Sequence, residues 1–285
     1  MWGFRCKSDI IIINIVSGGV KMKDKMIKIL DKIHKYNVSN MAQLNYGLDP
    51  NIEYDVLVVA PGWKPTRIIK DDSFKVTTLA THSYISGYLV EKGDIKIAWI
   101  QIASGASNLL DHLTLCAELK FKKLIFVGAV GSLTTDFNVG DVCTPSFSIE
   151  GVFANAYLEE KLTDYKPFGK VYPDERYVDD IVKLANKSNY NLMKASVFCT
   201  DSIAMEYYHL DEIKSYSTDL IEMETSTFYK IAELLEVPAI ALLVVSDNSA
   251  SGHPLVGRSD ELQIKYNSSR SIIIPDLIYK IAKAQ

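Results

Sequence analysis

Apolar positions along the chain fall into two periods. Between Lys23 and Tyr36, the residues Met26, Ile27, Ile29, Leu30 and Ile33 recur at helical spacing and predict a helix. "YDVLVVAPG" (54–62) is instead a short β-branched run halted by Pro-Gly, the pattern of a buried strand feeding a loop. "KVTTLATHSYISGYLVEKGDIKIAWIQIASG" predicts a strand pair turning at "EKGD", and "ASNLLDHLTLCAELK" a helix with one apolar face. "KKLIFVGAVGSL" reads as a buried strand ending in a glycine loop, and "VGDVCTPSFSIE" and "LMKASVFCTD" as further strands around the helix "DERYVDDIVKLANKS". "TSTFYKIAELLEV" is helical, "PAIALLVVSD" a buried strand, and "SDELQIKYNSSRSIIIPDLIYKIAKA" a closing helix or helix pair interrupted at Pro275. Uniformly apolar strands alternating with amphipathic helices predict an α/β fold, a sheet covered by helices on both faces. No linker, repeat or low-complexity tract divides it, so one domain is expected over residues 26–285.

Residues 1–25 are expected to be an N-terminal extension. The apolar run Ile10–Val16 is far shorter than the ~20 residues of a membrane span, and no small-residue cleavage pattern follows it. Met22 and Met26 offer downstream starts.

At 285 residues, with 48% hydrophobic and 23% charged residues, the composition is globular. A net charge of −4 argues against nucleic acid or an anionic membrane as partner. The four cysteines (Cys6, Cys116, Cys143, Cys199) are scattered without a CxxC, which fits reduced thiols and a cytoplasmic protein. The five histidines show no ligand spacing, so no metal is expected.

Open α/β sheets bind ligands beyond the carboxyl ends of their strands. Three strands here end in unusual loops, "VVAPGWKPTR", "IFVGAVGSL" and "LVVSDNSASGHP", and a fourth segment, "IEMETS", precedes a helix. All four are candidates for one crevice. "PGWKPTR", "VGAVGSL…VGDV" and "IEMETSTFYKIAELLEVPAIALLVVSDN" resemble, in order and spacing, the nucleoside phosphorylase family, which includes purine nucleoside and uridine phosphorylases and the methylthioadenosine nucleosidases. The resemblance runs from about Tyr54 to the C-terminus. Its most specific element is Glu-Met-Glu followed, 23 residues after Glu224, by Asp247.

That resemblance implies a phosphorylase-type mixed sheet and cleavage of a nucleoside's N-glycosidic bond. Glu224 would hold the ribose 2′- and 3′-hydroxyls, Met223 would lie against the sugar, and Glu222 would sit nearer the base or support the loop. The chemistry suits these types: one carboxylate accepts from two hydroxyls and faces the positive charge that develops on the sugar. Alternatively, both glutamates are ordinary charges at a helix N-terminus. Asp247 would be the acid that protonates a purine at N7, once its environment raises its pKa from ~3.9, and Arg258 would assist it; "SDN" is otherwise a simple turn.

Gly62 and Arg67 would bind phosphate, the co-substrate, and Gly131 would lie at the substrate. Gly128 and Gly131 could equally form a tight strand-to-helix turn. Phe126 and Ala129 stand where many phosphorylases carry an arginine and a hydroxyl residue, leaving Lys64 or Lys75 to compensate. Ile203 takes the place of the family's aromatic residue against the base, with Tyr207 and Tyr208 nearby. The expected activity is phosphorolysis of a purine nucleoside by a homo-oligomer, dimer or hexamer, without metal or organic cofactor. A phosphate-independent nucleosidase and a non-catalytic nucleoside-binding protein are the alternatives.

Overall fold

A computed structural model describes residues 22–37, 40–253 and 256–284; most of the expected extension, and Cys6, lie outside them. The last residues of that extension, Met22 to Lys25, are folded. Met22 packs against the core, Lys23 N–H donates to Leu234 O, and helix α1 (Asp24–His34) begins before residue 26.

The chain then runs through helix α2 (Met41–Tyr46), strands β1 (Glu53–Tyr54) and β2 (Val56–Pro61), and the short helix α3 (Pro65–Ile68). A three-strand meander follows, β3 (Lys75–His82), β4 (Ile85–Lys92) and β5 (Ile95–Ile102). Where the hydrophobic pattern predicts a strand pair, a second reversal at Ser83–Tyr84 divides the first strand in two. Helix α4 (Ala106–Cys116) leads through β6 (Lys120–Phe121) to β7 (Leu124–Ser132), β8 (Val142–Gly151) and β9 (Lys170–Val171). The second half comprises α5 (Glu175–Lys187), β10 (Leu192–Thr200), α6 (Leu210–Ser215), β11 (Leu220–Glu222), α7 (Thr225–Leu235) and β12 (Ala239–Asn248). α8 (Asp260–Ser268) and α9 (Ile274–Lys283) close the chain, joined by a π-helical turn (Ser269–Ile273) rather than broken at Pro275.

The main sheet has the order β11-β10-β8-β12-β7-β2-β5-β4-β3, with β9 appended to β8. β11 also pairs antiparallel with β7, so β7, β12, β8, β10 and β11 close into a ring. Alternation along the strands explains the two apolar faces. Leu57, Val59, Ala241 and Leu243 pack in the core cluster that receives α1, α2, α4 and α7. Val56, Val58, Leu242 and Val244 pack in the cluster that receives α5, α8 and α9. Burial on both faces is why β2 and β12 read as unbroken apolar runs. β3, at the sheet edge, is mostly exposed and carries the polar sequence KVTTLATH, as an unpartnered edge should.

Two irregularities set up the site. The β12–β7 register shifts between Val245 and Asp247, a bulge of the kind that re-aims side chains beside functional sites. And the expected glycine loop is not a loop: Gly128 and Gly131 both lie within β7. Gly128 is small because a Cβ there would come 2.8 Å from the Phe126 ring. A Cβ on Gly131 would come 2.9 Å from the Asp247 carboxylate, so Gly131 makes room for that side chain.

Among the described residues, no helix is long and apolar enough to cross a membrane.

Candidate active site

A cleft of about 420 Å³ opens at the ends of β2, β7, β10, β11 and β12. It is lined by eight of the residues singled out in the sequence: Gly62, Arg67, Gly131, Ile203, Glu222, Met223, Glu224 and Asp247. Arg258, Lys64 and Lys75 are not among its walls. Lys75 is an exposed side chain 3.3 Å from Glu91 on the edge hairpin.

The centre of the cleft is built around the start of α7. Glu224 occupies the N-cap position of that helix without capping it. Glu222 supplies the cap instead. Its carboxylate accepts from Glu224 N–H at 2.7 Å, from Thr225 N–H at 2.9 Å, from Thr225 Oγ1 at 2.8 Å and from Cys199 Sγ at 2.8 Å. Thr225 Oγ1 in turn lies 2.7 Å from Ser148 Oγ. Capping satisfies helix N–H groups that otherwise have no partner. The roles of the two acids thus separate: Glu222 holds the backbone, and Glu224 is left to face the cleft.

Glu224 is held from behind by Gly105 N–H, 2.5 Å from its Oε1. Burial, then the Glu222 charge, push its carboxyl above the usual range. Burial raises Glu222 as well, but Glu222 has the donors that sustain an anion. The shared negative charge therefore rests on Glu222.

Asp247, on the bulge of β12, lines the same cleft. Burial raises its carboxyl, while a hydrogen bond from Ser246 Oγ at 2.5 Å and the Arg258 charge pull it back. Arg258 acts from behind the wall: its Nη1 donates to Ser246 O at 2.7 Å and its guanidinium lies 4.4 Å from the Tyr266 ring centre. It holds the bulge that carries Asp247 and does not reach into the cleft.

Basic groups line the cleft too. Gly62 is in the left-handed region (φ +70°), which lets the chain turn out of β2. Its N–H is committed to Ile102 O at 2.9 Å, so the expected backbone contact to an anion is not available from that group. Arg67, on α3, is exposed and lines the cleft. So does a residue the sequence reading passed over, Arg270, on the π-helical turn. Its guanidinium sits 4.9 Å from the centre of the Trp63 ring, and its buried Nε has no partner among the described residues. Trp63 is fixed by Tyr266, edge-on at 6.3 Å, and its carbonyl accepts from Trp99 Nε1 at 3.0 Å. Tryptophan in "PGWKPTR" thus supplies a platform for a cation. The available signal was a lone arginine within the apolar "SSRSIIIP", and π-helical turns recur at functional sites.

Phe126 is buried against Phe228, with ring centres 5.7 Å apart, whereas Ala129 is exposed on the cleft wall. Ile203 and Met223 supply aliphatic surface. No group of three or more His, Cys, Asp or Glu side chains among the described residues is arranged to hold a metal ion.

Among curated proteins, the purine nucleoside phosphorylase (DeoD-type) of Brevibacillus brevis is 25% identical over 160 residues, which cover 56% of this chain and 65% of that protein. The same-named protein of Bacillus velezensis is 28% identical over 131 residues, 46% of this chain and 54% of its own length. These matches span no more than about two thirds of the relatives' length. In solved structures, the 5′-methylthioadenosine/S-adenosyl homocysteine nucleosidase of Campylobacter jejuni superposes with a TM-score of 0.62 at 17% identity, over 80% of this chain and 98% of that one. The P. knowlesi homologue of P. falciparum PNP gives 0.61 at 16% identity, over 84% and 92%. At such identities, those two likenesses speak for the fold alone. A sequence model of the phosphorylase superfamily matches residues 71–272, well over half of the chain, and the protein belongs to that superfamily.

Proposed function

We propose that the protein is a purine nucleoside phosphorylase. A single observation carries this reading: one cleft is lined by the Glu224 carboxyl, by Asp247, whose carboxyl burial raises, and by the guanidinium groups of Arg67 and Arg270. In the proposed reaction, Glu224 accepts from the ribose 2′- and 3′-hydroxyls and steadies the cation that forms as the bond from C1′ to N9 lengthens. Met223 packs on the sugar. A phosphate oxygen bonds to C1′ as the N9 electrons pass to the purine, and Asp247 delivers a proton to N7. Arg67 and Arg270 hold the phosphate, with Arg270 taking the part of the cation absent at Phe126. The products are free base and ribose 1-phosphate, and no cofactor enters the scheme.

Ala129 favours a second reading. It lines the cleft without a hydroxyl, which weakens any anion site and suits a nucleosidase that uses water. The superfamily relationship and the DeoD-type relatives are common ground for both readings. Base release from inosine, adenosine, guanosine, uridine and methylthioadenosine, with and without phosphate, separates them. A phosphorylase requires phosphate and yields ribose 1-phosphate; a nucleosidase ignores phosphate and yields the free sugar. A protein that binds nucleosides and releases no base under either condition is non-catalytic.

A further inference from the structure

Two arginines stand at the two ends of α8. Arg258 lies just before Ser259, the cap of that helix, and Arg270 on the π-helical turn that follows it. Both are half-buried, and each lies on an aromatic ring rather than on a carboxylate of the described residues. Tyr266, on α8 and 5% exposed, stands between them. The Arg258 guanidinium lies 4.4 Å from the centre of its ring, and Trp63 meets that ring at 89° with centres 6.3 Å apart. Trp63 in turn carries Arg270 at 4.9 Å. The order is Arg258, Tyr266, Trp63, Arg270: two cations joined by two rings. One end donates to Ser246 O, beside Asp247, and the other lines the cleft. Tyr266 itself is not among the cleft walls.

A chain of hydrogen bonds runs alongside. Ser269 Oγ, next to Arg270, donates to Gly140 O. Gly140 N–H donates to Val245 O at 2.9 Å, where the register of β12 begins to shift. Burial pushes the Tyr266 hydroxyl up, and the charges of Arg270 and Arg258 both draw it back, so both cations act on this ring.

We propose that Tyr266 is a positioning residue: through Trp63 it ties Arg270, the seat of an anion, to Arg258 and the bulge that carries Asp247, so that filling the one steadies the other. The inference rests on the reading of Arg270 as a phosphate ligand and adds residues that no substrate touches.

The reason is electrostatic. Two like charges in one half-buried stack repel, and the buried Arg270 Nε has a donor unspent among the described residues. The negative faces of the rings offset part of that repulsion. An anion on Arg270 offsets more, and the stack tightens. Packed rings shift together, so tightening at Arg270 is felt at Arg258. Linkage makes the effect mutual: what the anion gains from an ordered Arg258, Arg258 gains from the anion.

The test measures the binding of inorganic phosphate by calorimetry, without nucleoside, and turnover of adenosine separately. Tyr266→Leu changes no charge and removes a ring outside the cleft walls, yet the Kd for phosphate should rise about fivefold. At saturating phosphate, kcat should fall about tenfold with the adenosine KM nearly unchanged, because the support of Asp247 is loosened. Tyr266→Phe keeps the ring and should restore both constants to within about twofold of the wild type. Arg258→Lys keeps the charge and loses the flat face; it should weaken phosphate about threefold. That loss should vanish when Arg270→Met is also present, the signature of a coupled pair. Phosphate affinity indifferent to Tyr266→Leu, a Tyr266→Phe variant as weak as Tyr266→Leu, or independent effects of Arg258→Lys and Arg270→Met would overturn the proposal. If Tyr266→Leu does not fold, the two-arginine cycle decides alone. Phosphate binding that depends on the ring, with base release indifferent to phosphate, would uphold the stack and remove the phosphorylase reading. Phosphate-dependent release, with affinity blind to Tyr266 and Arg258, would do the reverse.

Discussion

The side of the cleft built on the start of α7 and its arginine-lined wall are built in opposite ways. Around the start of α7, polar atoms are committed: Glu222 takes four hydrogen bonds, Glu224 is backed by Gly105, and Thr225 ties to Ser148. The arginines are uncommitted. Arg67 is exposed, and Arg270 rests on an aromatic face with its Nε unpartnered among the described residues. Donors held in reserve suit a site that must accept a diffusible anion and let a product leave. A saturated network suits a carboxylate that must not move while charge develops beside it. The contrast shows where this fold places its rigidity: on the carboxyl that meets the transition state in the proposed reaction.

Substitutions can break or sharpen that contrast. The largest expected effect is from Glu224→Ala, which should lower kcat/KM by about 1,000-fold; a change confined to nucleoside affinity would favour the binding-protein reading. Next comes Glu222→Ala, which removes the acceptor for two backbone N–H groups, a hydroxyl and a thiol, all buried. Urea unfolding should show a loss of about 3 kcal/mol of stability. A variant as stable as the wild type would mean that the network is not what holds α7. Smaller again is Arg270→Met, which should raise the KM for phosphate about tenfold and leave the nucleoside KM nearly unchanged. If both values stay put, Trp63 and Arg270 form a structural contact only.

Much of this was legible in the sequence, and the rest was hidden for identifiable reasons. β2, β7 and β12 were readable because burial on both faces forces unbroken apolar runs, and α5 and α7 because their apolar positions keep helical spacing. β11 was missed: three residues are too few to show a period, yet this strand closes the ring and places Glu222. The glycines of "GAVG" signalled a loop, but they are small to clear Phe126 and Asp247, a packing demand that no local pattern reveals. The resemblance named Arg258 as a partner of Asp247, and no motif named Arg270. Only the π-helical turn, a tertiary detail, brings the later arginine to the cleft and leaves the earlier one behind it. Glu206, another carboxyl that lines the cleft, had no motif at all.

In the proposed reaction, the guanidinium groups that line the cleft receive phosphate. The most direct measurement is base release from adenosine and inosine with and without phosphate, with the sugar product identified. Release that requires phosphate and yields ribose 1-phosphate is the expected result. Equal release in its absence, with free ribose as the product, would rule out phosphorolysis and make the protein a nucleosidase.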